Sequence, residues 1–382
     1  MKYRISDVAS INESSISKST YIGSVNYVDT SSVISGNFNG YRHYPSISEA
    51  PSRARRLVSK EDTVISTVRP NMKHVGFISS KSDCIYSTGF AVVSPKKDKI
   101  DPYYLYLFLS SNRVTEVLQS IGETSTSTYP SVKPSDIGNL VIDMPPLDEQ
   151  HLIANRIRLI DEKKNQNSQI NANLLHQGLL KINYLIEHKK LNKQKINEMD
   201  LIVSDHVANG SFKALKQGVS YSDSKNYALF LRNVDLKNDL NNNLRYIDKP
   251  SYDFLRKSHL FGGEVVISNV ADVGSVHRVP YLNTHMVVGN NQIFLKSKDS
   301  RLTDYLYLYF KSRYGQHDIE TITSGSAQQK FNKTDFRSLN IPIIDLSIVQ
   351  KQISPLLKEI DSLKSEIKIL NNLKSILLAK YF

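Results

Sequence analysis

The hydrophobic rhythm of the chain falls into two passages built on one plan, each a series of short alternating runs that gives way to a long helical seam. Tyr21–Val28 alternates apolar and polar positions as a half-buried strand does. Thr63–Val68 reads as another strand, which the turn-forming Arg69-Pro70-Asn71 ends. Val75–Ile78 and Phe90–Val93 predict two more. Pro102–Leu109 predicts a helix, with Asp101 placed to cap its first turn. A polar loop, Gly122–Ser131, then leads to a strand over Leu140–Ile142 and to the turn Pro145-Pro146.

A helical pattern follows from Pro145 to about Ile196. Ile153, Ile157 and Ile160 keep a four-three spacing, and so do Leu175, Leu179, Ile182 and Ile186. Between them Lys163–Gln169 has no apolar seam. The pattern predicts a helix packed at both ends and solvated, or facing a partner, in its middle. At about 45 residues it would be roughly 65 Å long, which suits a spacer better than a small core.

From Leu201 the plan begins again. Phe230–Asp235 parallels Ser24–Asp29, Glu264–Ser268 parallels Thr63–Ser66, and Tyr305–Leu308 repeats Tyr104–Leu107 as Tyr-Leu-Tyr-Leu. Lys333 and Asp335 echo Lys133 and Asp136, and Leu339–Ile341 echoes Leu140–Ile142. A colinear series at an offset near 200 marks an internal duplication. A last helix, about Ser347–Tyr381, carries Val349, Ile353, Leu356, Ile360, Leu363, Ile367 and Leu370 as a coiled-coil seam. Pro355 sits inside it, so a kink or a late helix start is expected. This seam either pairs with the first long helix as an antiparallel coiled coil or packs on its own domain. The expected class is α+β. The predicted boundaries are a domain at 1–144, a long helix at 145–198, a second domain at 199–345 and a helix at 346–382.

Composition adds one bias: 49 Lys+Arg against 37 Asp+Glu, formally +12, with a pI near 9.4. Such an excess attracts polyanions, nucleic acid first and anionic membrane second. Cys84, the single cysteine, leaves no disulfide framework or cysteine-rich zinc site and suits a reducing compartment. The N-terminus lacks a signal-like apolar run, and no stretch approaches the roughly 18 apolar residues of a membrane span. A soluble, cytoplasmic protein is expected. No phosphate-binding loop, His-Glu-x-x-His or Gly-x-Ser-x-Gly pattern occurs, so no catalysis and no bound cofactor or metal are expected of the chain itself. Met144-Pro145-Pro146-Leu147 lacks the amide or acid and the aromatic of an amino-methyltransferase motif, and Glu366-x-Lys368 lacks the acidic partner of a nuclease.

Contact with DNA needs cations for phosphates and forked donors or amides for base edges. Arg69, Lys73 and His74 follow the Thr63–Val68 strand. Asn269, His277 and Arg278 follow Glu264–Ser268. Arg53, Arg55 and Arg56 form a further basic turn, while Lys225 and Arg232 flank Tyr227–Val234. Gly325–Lys330 offers a glycine, two amides (Gln328, Gln329) and a cation (Lys330); its counterpart Gly122–Tyr129 offers hydroxyls. Lys133 and Lys333 complete the candidates. Each is alternatively a solvated surface charge.

The whole chain resembles the specificity subunit of a type I restriction–modification system. The residues that carry the likeness are Val64–Pro70, Ser87–Val92, Asp101–Leu105, Ser324–Lys330 and above all Met144–Gln150 ahead of a helix. The second copy departs from it, with Ile341–Ser347 in place of Pro-Pro-x-x-Glu-Gln. The resemblance implies two target-recognition domains, each reading half of a bipartite duplex DNA sequence, with helices that set the spacer. It also implies docking to modification subunits, two being expected, that bind S-adenosylmethionine and methylate adenine. Restriction subunits would supply ATP- and Mg-dependent cleavage in defence against foreign DNA. Three other readings stand beside it: a related methylation or defence system, a coiled-coil adaptor with incidental charge, and an unrecognised nuclease.

Overall fold

Thr63–Ser66 is buried at every position, so this strand needs cover on both faces. In the computed structural model it lies inside a four-stranded sheet made of β1 (Ala9–Ile11), β2 (Thr63–Ser66), β3 (Val75–Phe77) and β4 (Phe90–Pro95), in the order β1-β4-β2-β3. All pairs are antiparallel, with Val64 opposite Val92 and Gly76. Alternation along β2 then sorts the two faces. Ile65 joins a core with Ala91, Val93 and the helix α1 (Pro102–Leu109), whereas Val64 joins Val92, Phe90, Val28 and Tyr86 under a second sheet. That second sheet orders Arg42–Tyr44, Val25–Val28, Ile85–Ser87 and Ala54–Arg56, with the middle two parallel. The strand expected at Tyr21–Val28 is confined to Val25–Val28, and Ile22 lies outside the described residues.

The structure describes residues 1–17, 21, 23–34, 36–124, 129–241, 243–325 and 328–382. They form two units, Met1–Asn165 with Lys368–Phe382, and Gln166–Ile367.

In unit 1, Asp101 caps α1 as its position predicts, accepting from Tyr103 N and Tyr104 N at 2.8 Å each. Its backbone N–H donates to Gln150 Oε1 at 3.1 Å, and His151 Nδ1 lies 2.7 Å from its second oxygen. Gln150 is buried and also donates to Pro145 O at 2.9 Å. The Pro-Pro-Leu-Asp-Glu-Gln stretch therefore fastens the start of the long helix to the start of α1. That helix, α2 (Leu147–His188), runs 42 residues.

α2 ends eight residues before the expected Ile196. Lys193–Lys195 instead pairs antiparallel with Asn340–Pro342, and Ile196 enters the core of unit 2, where its N–H donates to Leu339 O at 3.1 Å. Unit 1 holds the same device, Lys2–Arg4 against Val141–Asp143. The polar middle of α2 is exposed at Lys163, Asn165, Gln166, Ser168 and Gln169, with one buried exception. Asn167 is fully buried in unit 2 and donates to Glu366 at 2.8 Å.

Unit 2 repeats the first sheet as β5 (Ile202–Asp205), β6 (Val265–Ser268), β7 (Val276–Arg278) and β8 (Gln292–Lys296), in the order β5-β8-β6-β7. Its second sheet has five strands, with Ala228–Leu231 parallel to His285–Val288. Helix α3 (Ser300–Lys311) takes the place of α1, capped by Asp299 through Arg301 N at 3.0 Å. The C-terminal pattern is broken at Ile353, between Leu346–Gln352 and α4 (Ser354–Tyr381). Pro355 falls in the first turn of α4, where a missing N–H costs least. The break makes Leu357, not Leu356, the deepest seam residue after Ile353. Ile182, Ile353 and Leu357 share the unit 2 core with Leu175, Leu179, Ile186 and Ile360 packed on it, while Ile153 and Ile157 share the unit 1 core with Leu377 and Leu378 against them.

Gly315 lies in the third position of the helix Arg313–Ile322, where an added Cβ would fall on Tyr309 O and 2.5 Å from Phe310 Cα. Backbone cannot yield as a side-chain end can. Gly315→Ala is expected to destabilise unit 2 by about 3 kcal/mol. Gly178→Ala meets only the tip of Leu308, at 2.9 Å, and should change stability by less than about 1 kcal/mol. Urea midpoints with unchanged slopes check both.

Candidate nucleic-acid interface

Beyond the end of β2 the hydrogen-bond ladder continues into the loops. Thr67 N and Oγ1 both donate to Gly89 O, at 2.8 and 2.9 Å, and Thr67 O accepts from Val132 N at 2.9 Å. Arg69 N donates to Pro130 O at 2.8 Å, and Thr88 N donates to Arg53 O at 2.8 Å. Four loops are thereby stitched into one rim. Arg69 holds a left-handed backbone, φ 52°, ahead of Pro70. A non-glycine residue adopts that conformation at a cost, and the surrounding bonds hold it there. Its exposed guanidinium lies over the Tyr129 ring, 4.0 Å from the centroid.

Unit 2 builds the same rim. Asn269 N donates to Asn291 O at 3.1 Å, Phe331 N to Asn269 O at 3.1 Å, and Ala271 N to Gln329 O at 3.0 Å. Ala271 is left-handed too, φ 65°. Ala271 therefore occupies the place of Arg69, and Gln328, Gln329 and Lys330 occupy those of Tyr129, Pro130 and Ser131. The side chains of Gln328, Gln329 and Lys330 are exposed. Ser125–Thr128 and Ser326–Ala327, parts of the two loops singled out in the sequence, lie outside the described residues.

The other candidates divide by what holds them. In unit 1, Arg53 and Arg55 are exposed near the rim, and Lys133 is exposed at the start of Pro134–Gly138. Arg56 is half-buried, its pKa lowered by burial, with Nε lacking a hydrogen-bond partner among the described residues. Lys73 donates to Asn112 Oδ1 at 2.5 Å, and His74 Nδ1 lies 2.6 Å from Val33 O. In unit 2, Lys225 is exposed. Lys333 pairs with Asp205 at 3.0 Å.

Four unit 2 residues are committed internally. Arg232 binds both oxygens of Asp235, at 2.9 and 2.7 Å, and Asn243 O at 2.6 Å. The Asn269 amide donates to Phe331 O at 3.2 Å. His277 lies 2.9 Å from Ser275 Oγ and 3.0 Å from Asn233 Oδ1. The Arg278 side chain, 9% exposed, pairs with Asp304 at 2.9 Å and with Asp361. Arg278 and His277 belong to β7 itself and not to the loop before it, so they are not counterparts of Arg69. Burial would lower the Arg278 pKa, but Asp361 and Asp304 hold it above the usual arginine value.

Tyr129 stood in the sequence only as the end of the hydroxyl-bearing Gly122–Tyr129 loop, with no sign of its pairing with Arg69. Register identifies it, because the rim places it against Arg69. Among the described residues no group of three or more His, Cys, Asp or Glu could hold a metal ion, and no helix is long and apolar enough to cross a membrane.

Residues 1–176 and 212–375 match the model of the type I restriction modification DNA specificity domain. The chain is 28% identical over 149 residues to the HindI type I restriction enzyme specificity subunit of Haemophilus influenzae, 39% of this chain and 32% of that protein. It is 24% identical over 299 residues to the MjaX specificity subunit of Methanocaldococcus jannaschii, 73% of this chain and 66% of that protein. The aligned parts thus span about a third and just under two thirds of these two relatives. A crystal structure of the S subunit of a type I restriction–modification system from M. genitalium shares the fold, with a TM-score of 0.60 and 16% identity over 100% of this chain and 96% of that one.

Burial, and then Lys311, Lys364 and Lys237, push His277 down to about 4, so it is neutral at pH 7. The depressed folded pKa means that the unfolded chain takes up the proton first. The stability contribution is complete above about pH 6.5 and is lost as pH falls through 4, by about 3 kcal/mol. His277→Gln should flatten the acid side of the stability–pH curve; equal acid slopes in both proteins would contradict this assignment.

Proposed function

The chain belongs to the type I restriction–modification DNA specificity domain family, whose model matches residues 1–176 and 212–375, and on that premise we propose that it is the non-catalytic DNA-recognition subunit of a type I complex. Each repeat reads one half of a bipartite duplex target. The observation that carries this reading is the pair of rims, alike in backbone and unlike in side chain. Arg69 over Tyr129 stands in one, and Ala271 with Gln328, Gln329 and Lys330 in the other. A forked guanidinium suits guanine or phosphate, and amides suit adenine. Two such rims would read two different half-sites. Exposed Arg53, Arg55, Lys133 and Lys225 would serve the phosphates, and the +12 charge favours the encounter.

The helices α2 and α4 would pair as an antiparallel coiled coil that sets the spacer. Contacts inside each unit support this: Lys374 with Asp161 at 2.5 Å in unit 1, and Asn167 with Glu366 at 2.8 Å in unit 2. A buried asparagine of this kind specifies register. Modification subunits, two in number, would dock here. In unit 1, Ile369, Leu373 and Ile376 stand exposed at i, i+4 and i+7 on α4, a spacing that fits a partner helix. Those subunits would carry S-adenosylmethionine and methylate adenine. Restriction subunits would bring ATP and Mg, and the complex would work in the cytoplasm.

Gln328→Ala with Gln329→Ala should lower methylation of the native target about 5- to 100-fold and relax sequence choice in one half-site only. Arg69→Ala should do the same in the other half, with subunit assembly unchanged in both. The measurement is methylation of a library randomised separately in each half-site. Loss spread equally over both halves in both variants would reject the assignment.

A further inference from the structure

Four positions connect each sheet to the long helix that packs on it, and the two repeats fill them with different chemistry. Strand register fixes the correspondence. Thr63 lies opposite Phe77, and Val265 opposite Arg278, so Phe77 and Arg278 hold one place. The Tyr-Leu-Tyr-Leu stretches put Tyr103 in register with Asp304. Gln150 and Gln350, then Ile160-Asp161 and Ile360-Asp361, align Ala154 with Ser354 and Asp161 with Asp361.

In unit 1, Phe77 meets Tyr103 edge-on, 5.1 Å between centroids at 87°. The Tyr103 hydroxyl donates to Asp161 Oδ2 at 2.7 Å, and Ala154 is buried in the same core as Tyr103. In unit 2, Arg278 Nη2 donates to Asp304 Oδ1 at 2.9 Å, and Nη1 donates to Asp361. Ser354 Oγ donates to the other Asp304 oxygen at 2.6 Å. The substitutions are mutually conditional. An aspartate in place of Tyr103 needs a buried cation, which Arg278 supplies where Phe77 stood. It also needs a second donor, which Ser354 supplies where Ala154 stood. The one constant is the helix carboxylate, Asp161 or Asp361, which receives a donor from the sheet side in both units.

We propose that each quartet is a lock that fixes a recognition domain on its helix, and that the quartets are exchangeable as sets but not as single residues. They are positioning residues for DNA reading, a role that rests on the function proposed above. A domain free to tilt on its helix would present its rim at a variable angle.

The test uses the full chain in three forms: wild type, Arg278→Phe, and Arg278→Phe with Asp304→Tyr and Ser354→Ala. Breaking the buried ion network alone should lower the thermal midpoint by about 10 °C. Transplanting the whole set should recover it to within about 3 °C of wild type. Methylation of the native target in cells should fall at least tenfold with the single change and return with the triple. The reverse transplant, Phe77→Arg with Tyr103→Asp and Ala154→Ser, should likewise exceed Phe77→Arg alone in midpoint. Triple variants no more stable than the singles would overturn the lock. Recovery of the midpoint without recovery of methylation would overturn the positioning role. A wild-type chain that directs no methylation would instead remove the DNA-recognition reading, while the midpoints still decide the lock.

Discussion

A strand buried on both faces has nowhere to end but in other backbone. In each unit the central strand, β2 or β6, is covered by helices on one side and by a second sheet on the other. Its polar groups must stay paired as the chain emerges, because a buried unpaired N–H or C=O costs about 1–3 kcal/mol. The pairing passes to the loops, through Thr67 and Arg69 in one unit and through Asn269 and Ala271 in the other. Main-chain bonds hold the rim at Arg69 and Ala271, with Thr67 Oγ1 and the Asn269 amide adding to them, so the side chains at Arg69, Ala271 and 328–330 can change without loosening it. Arg69 and Ala271 share a left-handed conformation and a backbone bond to the facing loop, and their side chains have nothing in common.

The same division of labour operates where the sheets meet the helices. The carboxylates of Asp161 and Asp361 are retained, and what reaches them is free to differ provided that a donor arrives. One repeat answers with an aromatic pair and a hydroxyl, the other with an arginine shared between two carboxylates. Duplication followed by divergence around fixed backbone bonds and a fixed acceptor accounts for both the likeness of the units and the difference between their surfaces.

Much of this was legible in the sequence where the signal is local. The cap at Asp101, a strand starting at Thr63 (read to Val68, ending at Ser66), the paired Tyr-Leu-Tyr-Leu stretches and a late helix start beside Pro355 each rest on neighbouring residues. What escaped depends on distant pairing. No proline or glycine stops α2 after His188; it stops because Lys193–Lys195 pairs with Asn340–Pro342. Arg278 looked like a loop cation because its partners, Asp304 and Asp361, lie 26 and 83 residues away. The offset between repeats also drifts, so a single offset near 200 could not show that Arg69 answers to Ala271 and Phe77 to Arg278.

The central claim is that one chain directs adenine methylation through two unlike readers. Single-molecule methylome sequencing of a host with and without this gene tests it most directly. The account predicts the loss of one methylated adenine motif made of two dissimilar parts separated by a gap of fixed length and free sequence. An unchanged methylome, or the loss of a motif with two identical halves, would contradict it.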